Sequence, residues 1–426
     1  MGIRNLNRFI QHKCPSASTR VHLRDLSGKR LAVDTSIYMY RYSGEGALLE
    51  NMYLMASVFR HYNIHAVFVF DGMPPPQKTD VIEKRKKKKD EAQKQYDALV
   101  KLTKEKKDAP AGHITTSELD DIEETMRELK KQFVRLRDCD ISSVKELLVS
   151  FGFATIDAEG EADALCAKLS IKKRVDAVLS DDTDMFVYGC PVVLRNISLL
   201  NHSVIRYDTA GILKTLQLTQ HDLKMMCVVS GTDYSQHLST HEKPISTEPE
   251  YISPDVVFKK LTQFKTLTSK DSQKYHESGG GFYDWYVEQQ TQENRKKPQP
   301  LRISNQTSSI TYLMNESMFD ISSNDTSGTN IGYKQLVVLN RENIHRKRIV
   351  EIMMKEDFIF VEPSPSDEHI IHSLSAGNGS LTSSPIYGMM TPPENHASVL
   401  ANEVYGIHAS SFEELDKFHK KKKYAR

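Results

Sequence analysis

The residues best suited to chemistry in this chain are carboxylates: Asp34 and Asp71, Glu159 and Glu161, Asp182 and Asp184, and Asp233. Acids gathered at one place repel one another and hold protons more tightly, so such a group persists mainly where cations neutralise it. A purely oxygen donor set selects Mg²⁺, with Mn²⁺ able to substitute, over zinc. A pair of such ions suits phosphodiester hydrolysis, one activating a water and the other steadying the leaving oxygen. Any one of these acids alone reads equally as a helix cap or a surface carboxylate. What sets them apart is where they recur.

The runs LAVDTS, AVFVFDG, DAVLSDD and PVVLRNI, between residues 31 and 197, are apolar and too short for helices, and three of them end in or next to an aspartate. They alternate with helix-like segments from about residue 29 to 235, the pattern of an α/β fold with a central, mostly parallel sheet flanked by helices. In open α/β sheets ligand sites sit at the carboxyl ends of the strands, where these aspartates fall. Asp182 and Asp184 are two apart and would face the same way on an extended segment. Glu159 and Glu161 converge only at the irregular first turn of a helix.

Between the second and third of these runs lies a highly charged stretch, residues 78 to 137, which reads as two helices. Lys84 to Lys89 is an unbroken basic run and includes Arg85, Lys86, Lys87 and Lys88. A solvated helical hairpin with ion pairs one turn apart accounts for it as well as a nucleic-acid contact does. Its basicity is local, because the whole chain of 426 residues has a formal net charge of only +1. With 39% hydrophobic residues the chain can bury a sizeable core.

The five cysteines are scattered without C-x-x-C spacing, which fits a reducing intracellular compartment. The polar N-terminus MGIRNLNRFIQ has no apolar core for a signal peptide or a membrane span, and Leu6 stands where an N-myristoylation motif needs Ser or Thr.

Taken in order, these segments resemble the flap-endonuclease family of structure-specific 5′-nucleases, in the manner of a divergent member such as one encoded by a large DNA virus. MGIRNL is similar to the family's opening MGI-x-x-L, LAVDTSIYMYRY to its first aspartate strand, and VFVFDGMPPPQK to its VFDG-x-P-P segment. DAEGEADALCAKL is similar to the paired-glutamate motif, LSDDTDMFVYGCPVVLR to the paired-aspartate motif, and CVVSGTDY to G-S/T-D-Y. One such match is weak; six in order over the first 235 residues are specific.

The resemblance implies a PIN-like 5′-nuclease fold in which residues 78–137 form a helical arch. It implies cleavage of branched, 5′-flapped DNA in replication, repair or recombination, with two Mg²⁺ ions held by Asp34, Asp71, Glu159, Glu161, Asp182, Asp184 and Asp233. By the same resemblance Lys78 and Arg85 hold the scissile phosphate, and Gly2, Tyr40 and the arch residues Lys86, Lys87, Lys88 and Lys89 meet DNA. Tyr40 reads equally as a core tyrosine, and Lys78 and Arg85 as solvated helix residues.

The chain departs from the family after Asp233, where SQHLSTHEKPISTEPEY replaces the G-I-G-P turn of a duplex-binding helix-hairpin-helix and its frequent K⁺ site. No clear sliding-clamp motif is present, and a monomer is expected. Residues 1–235 read as the nuclease core and 236–361 as its divergent C-terminal part with insertions. Within that part, 269–301 reads as an insertion or linker around one aromatic island holding Trp285. Residues 362–426 read as a disordered tail ending in a basic cluster, KFHKKKKYAR, which suits nuclear import, a nucleic-acid contact or a solvated tail.

His237 and His241 share a helical face but lack companion ligands, and the glycine run 279–281 lacks the Lys-Ser/Thr of a phosphate loop. Two other functions fit parts of the pattern. A 5′-exonuclease acting on RNA would use the same acids, and a DNA-binding scaffold without catalysis could keep the fold but would have no need for all of them.

Overall fold

The structure is a computed structural model that describes residues 2–107, 116–232, 252–267, 275, 281–295 and 344–355. Asp233, His237, His241, the segment that replaces the family's hairpin turn, Gly279 and Gly280, and the C-terminal tail lie outside the described residues.

One seven-stranded sheet runs through the centre in the order β1-β7-β6-β5-β2-β3-β4. Strands β2 (Arg30–Asp34), β3 (His65–Phe70), β4 (Ala154–Asp157), β5 (Ala177–Leu179) and β6 (Val192–Ser198) are mutually parallel. Strands β7 (Ser203–Asp208) and β1 (Ser18–His22) close one edge antiparallel. The four apolar runs read from sequence are β2, β3, β5 and β6. Their residues alternate between two cores: Ala32, Val67, Val69, Val178 and Val193 face one side, and Val33, Phe68, Phe70, Leu179 and Leu194 the other. Both faces are buried, which is why these strands show unbroken apolar runs. Strands β1 and β4 are edge strands with partly exposed side chains and give no such signal.

Helices α1 (Leu6–Lys13), α7 (Ala162–Ile171), α8 (Asp184–Tyr188), α9 (Thr209–Leu216), α10 (Gln220–Ser230) and α11 (Pro254–Lys265) supply residues to the first core. Helices α2 (Thr35–Glu45), α3 (Leu48–His61) and α6 (Asp138–Ser150) supply the second.

The charged stretch forms α4 (Thr79–Lys107) and α5 (Thr116–Gln132). At 1.5 Å per residue α4 is about 43 Å long. The two helices are held together near their base, where Ala92 and Leu129 are buried, Tyr96 meets Phe133 edge-on at 5.4 Å and Arg135 pairs with Asp90.

Within the segment read as an insertion or linker, residues 281–295 form a helix that packs on the core. Helix α12 (Gly281–Arg295) buries Phe282, Trp285 and Tyr286, with Trp285 5.5 Å and Phe282 5.7 Å from the ring of Phe264 on α11. The three buried aromatic residues lie about one turn apart and so share the inner face. Helix α13 (Arg346–Met354) buries Ile349, Ile352 and Met353 in the second core beside α6. No described helix is long and apolar enough to cross a membrane.

Candidate functional site

The chain fills the sheet outward from β2, first through β3 to β4 and then on the other side through β5 to β6. Connections leaving the carboxyl ends of β2 and β5 therefore diverge, and this switch point is where an open α/β sheet offers a crevice. Asp34 is the last residue of β2, and the turn carrying Asp182 and Asp184 follows β5. Ser180 links the two ends, its hydroxyl donating to Asp34 Oδ2 at 2.8 Å and accepting from the Asp182 N–H at 3.1 Å. Asp182 Oδ1 in turn accepts the Asp184 N–H at 3.0 Å, which starts α8. The segment is thus a side-chain-bonded turn leading into α8, not the extended run expected from the spacing of the two acids.

Asp71 follows β3, and its Oδ1 accepts the Ala162 N–H at 2.9 Å, satisfying the first turn of α7. Glu161 is the N-cap residue of α7 and pairs with Lys78 at 2.6 Å. Lys78 is only 7% exposed, so it is a buried partner of a carboxylate and not a solvated helix residue. The loops after β3 and β4 run side by side, with Gly72 N–H donating to the Gly160 carbonyl at 2.7 Å and Met73 N–H to that of Glu159 at 3.2 Å. A Cβ at Gly72 would strike the Ala158 and Glu159 carbonyls, so this approach requires glycine.

Glu159 takes part through its main chain, and its side chain is exposed. Asp163, absent from the expected set, is buried in the first turn of α7. Burial, then the charge of Glu161, push its carboxyl up to about 7 against the opposing pull of Lys78, and Asp182 adds to the rise. Burial likewise raises Asp34 well above the usual carboxylate range, reinforced by Asp163, Asp71 and Asp182 and eased by the Ser180 hydrogen bond. The overlooked signal was the run of acids at alternate positions in EGEAD. Reading it as one pair stopped at Glu161, and an acid in a first helical turn passes for a dipole partner.

These carboxyls feel one another across β2, β3 and β5, but they do not form a closed ligand shell. Among the described residues no three His, Cys, Asp or Glu side chains are drawn together as a ready metal-binding set. The donor chemistry nevertheless fits a hard divalent cation, since every donor is a carboxyl oxygen and a cation would relieve the strain of burying like charges.

Gly2 lies directly on this site with φ +75°, and a Cβ there would collide with Oδ1 of Asp182, Oδ1 of Asp184 and the Thr183 hydroxyl. Tyr40 on α2 is 43% exposed and so is no core tyrosine. Its hydroxyl proton is held more tightly than usual by partial burial and by Asp71, with Arg85 opposing. Lys89 sits 4.8 Å over its ring and donates to the Val134 carbonyl at 2.9 Å. Arg85, Lys86, Lys87 and Lys88 are exposed on α4, whereas Lys89 is fastened between the loop after α5 and Tyr40.

The N-terminal and central parts of the chain match two family models, the XPG N-terminal domain over residues 1–92 and the XPG I-region over residues 152–233. Most of α4 and α5 falls between them. The chain is 30% identical over 251 residues to Flap endonuclease 1 of Babesia bovis, covering 55% of this chain and 35% of that protein. Against Flap endonuclease 1 of Theileria parva it is 28% identical, with 68% and 55% covered. A probable RAD2-like endonuclease of Invertebrate iridescent virus 6 is 26% identical, with 56% and 68% covered. The chain thus spans from about a third to just over half of the two Flap endonuclease 1 relatives. Among solved structures, a eukaryotic junction-resolving enzyme, GEN-1, bound with potassium, shares the fold at a TM-score of 0.50 and 17% identity, covering 86% of this chain and 76% of that one.

Proposed function

Because the chain belongs to the flap-endonuclease/XPG family of 5′-nucleases, we propose that it hydrolyses phosphodiester bonds of branched, 5′-flapped DNA as a monomer, in replication, repair or recombination. The observation that carries this reading is the placement of acids at the carboxyl ends of neighbouring strands: Asp34 after β2 is linked through Ser180 to Asp182 after β5, and Asp71 after β3 accepts the first amide of the helix that carries Asp163. Asp34, Asp71, Glu161, Asp163, Asp182 and Asp184 would hold two Mg²⁺ ions, or Mn²⁺ in their place. Asp163 takes the role expected of Glu159, and Asp233 joins from outside the described residues. When bound, the ions supply Lewis acidity for attack by water and for departure of the leaving oxygen.

The protein's own groups do the rest. Lys78, held by Glu161, offsets charge beside the scissile phosphate, and Arg85 on α4 adds a second positive charge for it. Tyr40 presents an exposed ring on which a terminal base stacks without sequence preference. Gly2, having no side chain, lets the backbone and the DNA reach Asp182 and Asp184 together. Lys86, Lys87 and Lys88 screen the phosphates of a 5′ strand, so binding depends on salt and on DNA shape. Residues 1–235 act as the nuclease core, 236–361 as its divergent continuation, and the terminal basic cluster directs the protein to the nucleus or to sites of DNA replication.

End-labelled 5′-flap DNA, matched duplex DNA and matched single-stranded RNA, each incubated with Mg²⁺ and with EDTA, test this reading. Mg²⁺-dependent cutting near the flap junction is the expected result. Preferential degradation of RNA, or DNA binding without cutting in either Mg²⁺ or Mn²⁺, overturns it.

A further inference from the structure

The turn between β5 and α8 carries an acid that the reading above leaves unused. Asp181 stands beside Asp182, yet its side chain is only 12% exposed and is committed elsewhere. Oδ2 pairs with Arg41 of α2, and Oδ1 accepts the Asn196 N–H on β6 at 2.7 Å. Its carbonyl accepts from Arg195, a β6 side chain that is 6% exposed. The same guanidinium donates to Asn7 Oδ1 at 2.9 Å and lies 5.9 Å over the ring of Phe186 on α8. Asn7 is held in turn by the Tyr207 hydroxyl at 2.9 Å, and Tyr207 by Gln11 at 2.9 Å. Arg41 rests 5.4 Å over the ring of Tyr38, which is fully buried.

One arginine therefore touches the three pieces that meet at the site: the aspartate turn, the helix opened by Asp184, and α1, which leads in from Gly2. Burying a guanidinium is costly, and Arg195 Nε has no hydrogen-bond partner among the described residues. Apolar side chains would join these elements at less expense, but they would not fix the turn in one orientation.

Resting on the nuclease reading, we propose that Asp181, Arg41 and Arg195 form a clamp of positioning residues that sets where the Asp182 and Asp184 carboxylates stand. None of the three touches the phosphate. The clamp acts through the geometry of the turn, as partners behind metal ligands do.

Two variants of the full chain test it. Asp181→Asn keeps the acceptor for Asn196 and removes the charge that holds Arg41. Arg195→Lys keeps the charge but cannot serve Asn7 and the Asp181 carbonyl with one planar fork. Asp176→Asn, which breaks the Arg30 pair at the other end of β2, is the control. Mn²⁺ affinity by titration calorimetry, the thermal midpoint, and kcat and KM on flap DNA are measured for each.

The expected result is Mn²⁺ binding weakened roughly 10- to 100-fold in both clamp variants. It should come with a matching fall in kcat, little change in KM, a nearly unchanged thermal midpoint, and a control that behaves as the parent. Parental Mn²⁺ affinity in Asp181→Asn and Arg195→Lys, whatever happens to the thermal midpoint, overturns the clamp. A parent that binds Mn²⁺ but does not cut flap DNA overturns the nuclease reading instead, and the clamp then stands or falls on the Mn²⁺ affinities.

Discussion

At Asp163 the chain buries an acid where the field of Glu161 and Asp182 makes ionisation costly, while Glu159, four residues earlier, points its carboxylate to solvent. If the cluster binds cations, the two should respond oppositely to loss of charge. Asp163→Asn is expected to lower kcat at least about 100-fold, in line with loss of a group acting directly at the reacting centre, and Glu159→Gln to leave it within a few fold. Steady-state cleavage of flap DNA by the two variants decides between them, and equal losses would restore Glu159 to the site. The pH dependence follows from the same residues. Below about pH 7 Asp163 holds a proton in the metal-free protein, so an incoming ion must displace it. A carboxyl whose folded pKa is raised costs stability as pH climbs from its ordinary range, about pH 4, to about 7, and a bound cation restores that loss. The rise in thermal midpoint on adding Mg²⁺ should therefore be larger at pH 8 than at pH 6. An equal rise at both would remove Asp163 from the ion-binding set.

Helix α4 divides its lysines between two tasks. Lys86, Lys87 and Lys88 project into solvent, while Lys89 is tied to the Val134 carbonyl and the ring of Tyr40, and burial lowers its proton affinity. Replacing the first three together by Ala should raise KM for flap DNA, leave kcat largely intact and reduce the slope of log affinity against log salt by up to about 3. A slope unchanged in a salt titration of DNA binding would return these residues to a plain solvated face. At this scale the sequence was legible where burial was two-sided. Val33, Val69 and Val178 sit in strands covered on both faces, so their runs were unbroken and the acids behind them could be found. Strands β1 and β4 lie at the edges and expose part of their side chains, which erases the run. Asp163 and Asp181 were missed for another reason: the acids beside each motif were visible, but whether such an acid faces the site or an arginine depends on the backbone path through the turn.

For the molecule as a whole, the sequence and the fold differ over where the core ends. The stretch around Trp285 combines a glycine run, polar residues and prolines, and for that reason it reads in sequence as an insertion or linker around one aromatic island. In three dimensions its buried aromatic residues close the first core beside α11, with Trp285 6% exposed. Trp285→Ala should destabilise the fold by roughly 3–5 kcal/mol. The urea midpoint measures it, and a loss under about 1 kcal/mol would make α12 an appendage after all.

The order of strands bears on what the chain can do in pieces. A break between α4 and α5 would leave β1, β2 and β3 on one fragment and β4 to β7 on the other, yet in the sheet the two sets interleave, with β2 and β3 lying between β5 and β4. The chemical groups are split in the same way: Asp34, Asp71 and Lys78 belong to the first fragment, and Glu161, Asp163, Asp182 and Asp184 to the second. Neither half holds the whole sheet or the whole set of acids. The fold is therefore a two-part lock, suited to being expressed as two fragments that complete the acid cluster only when they find each other.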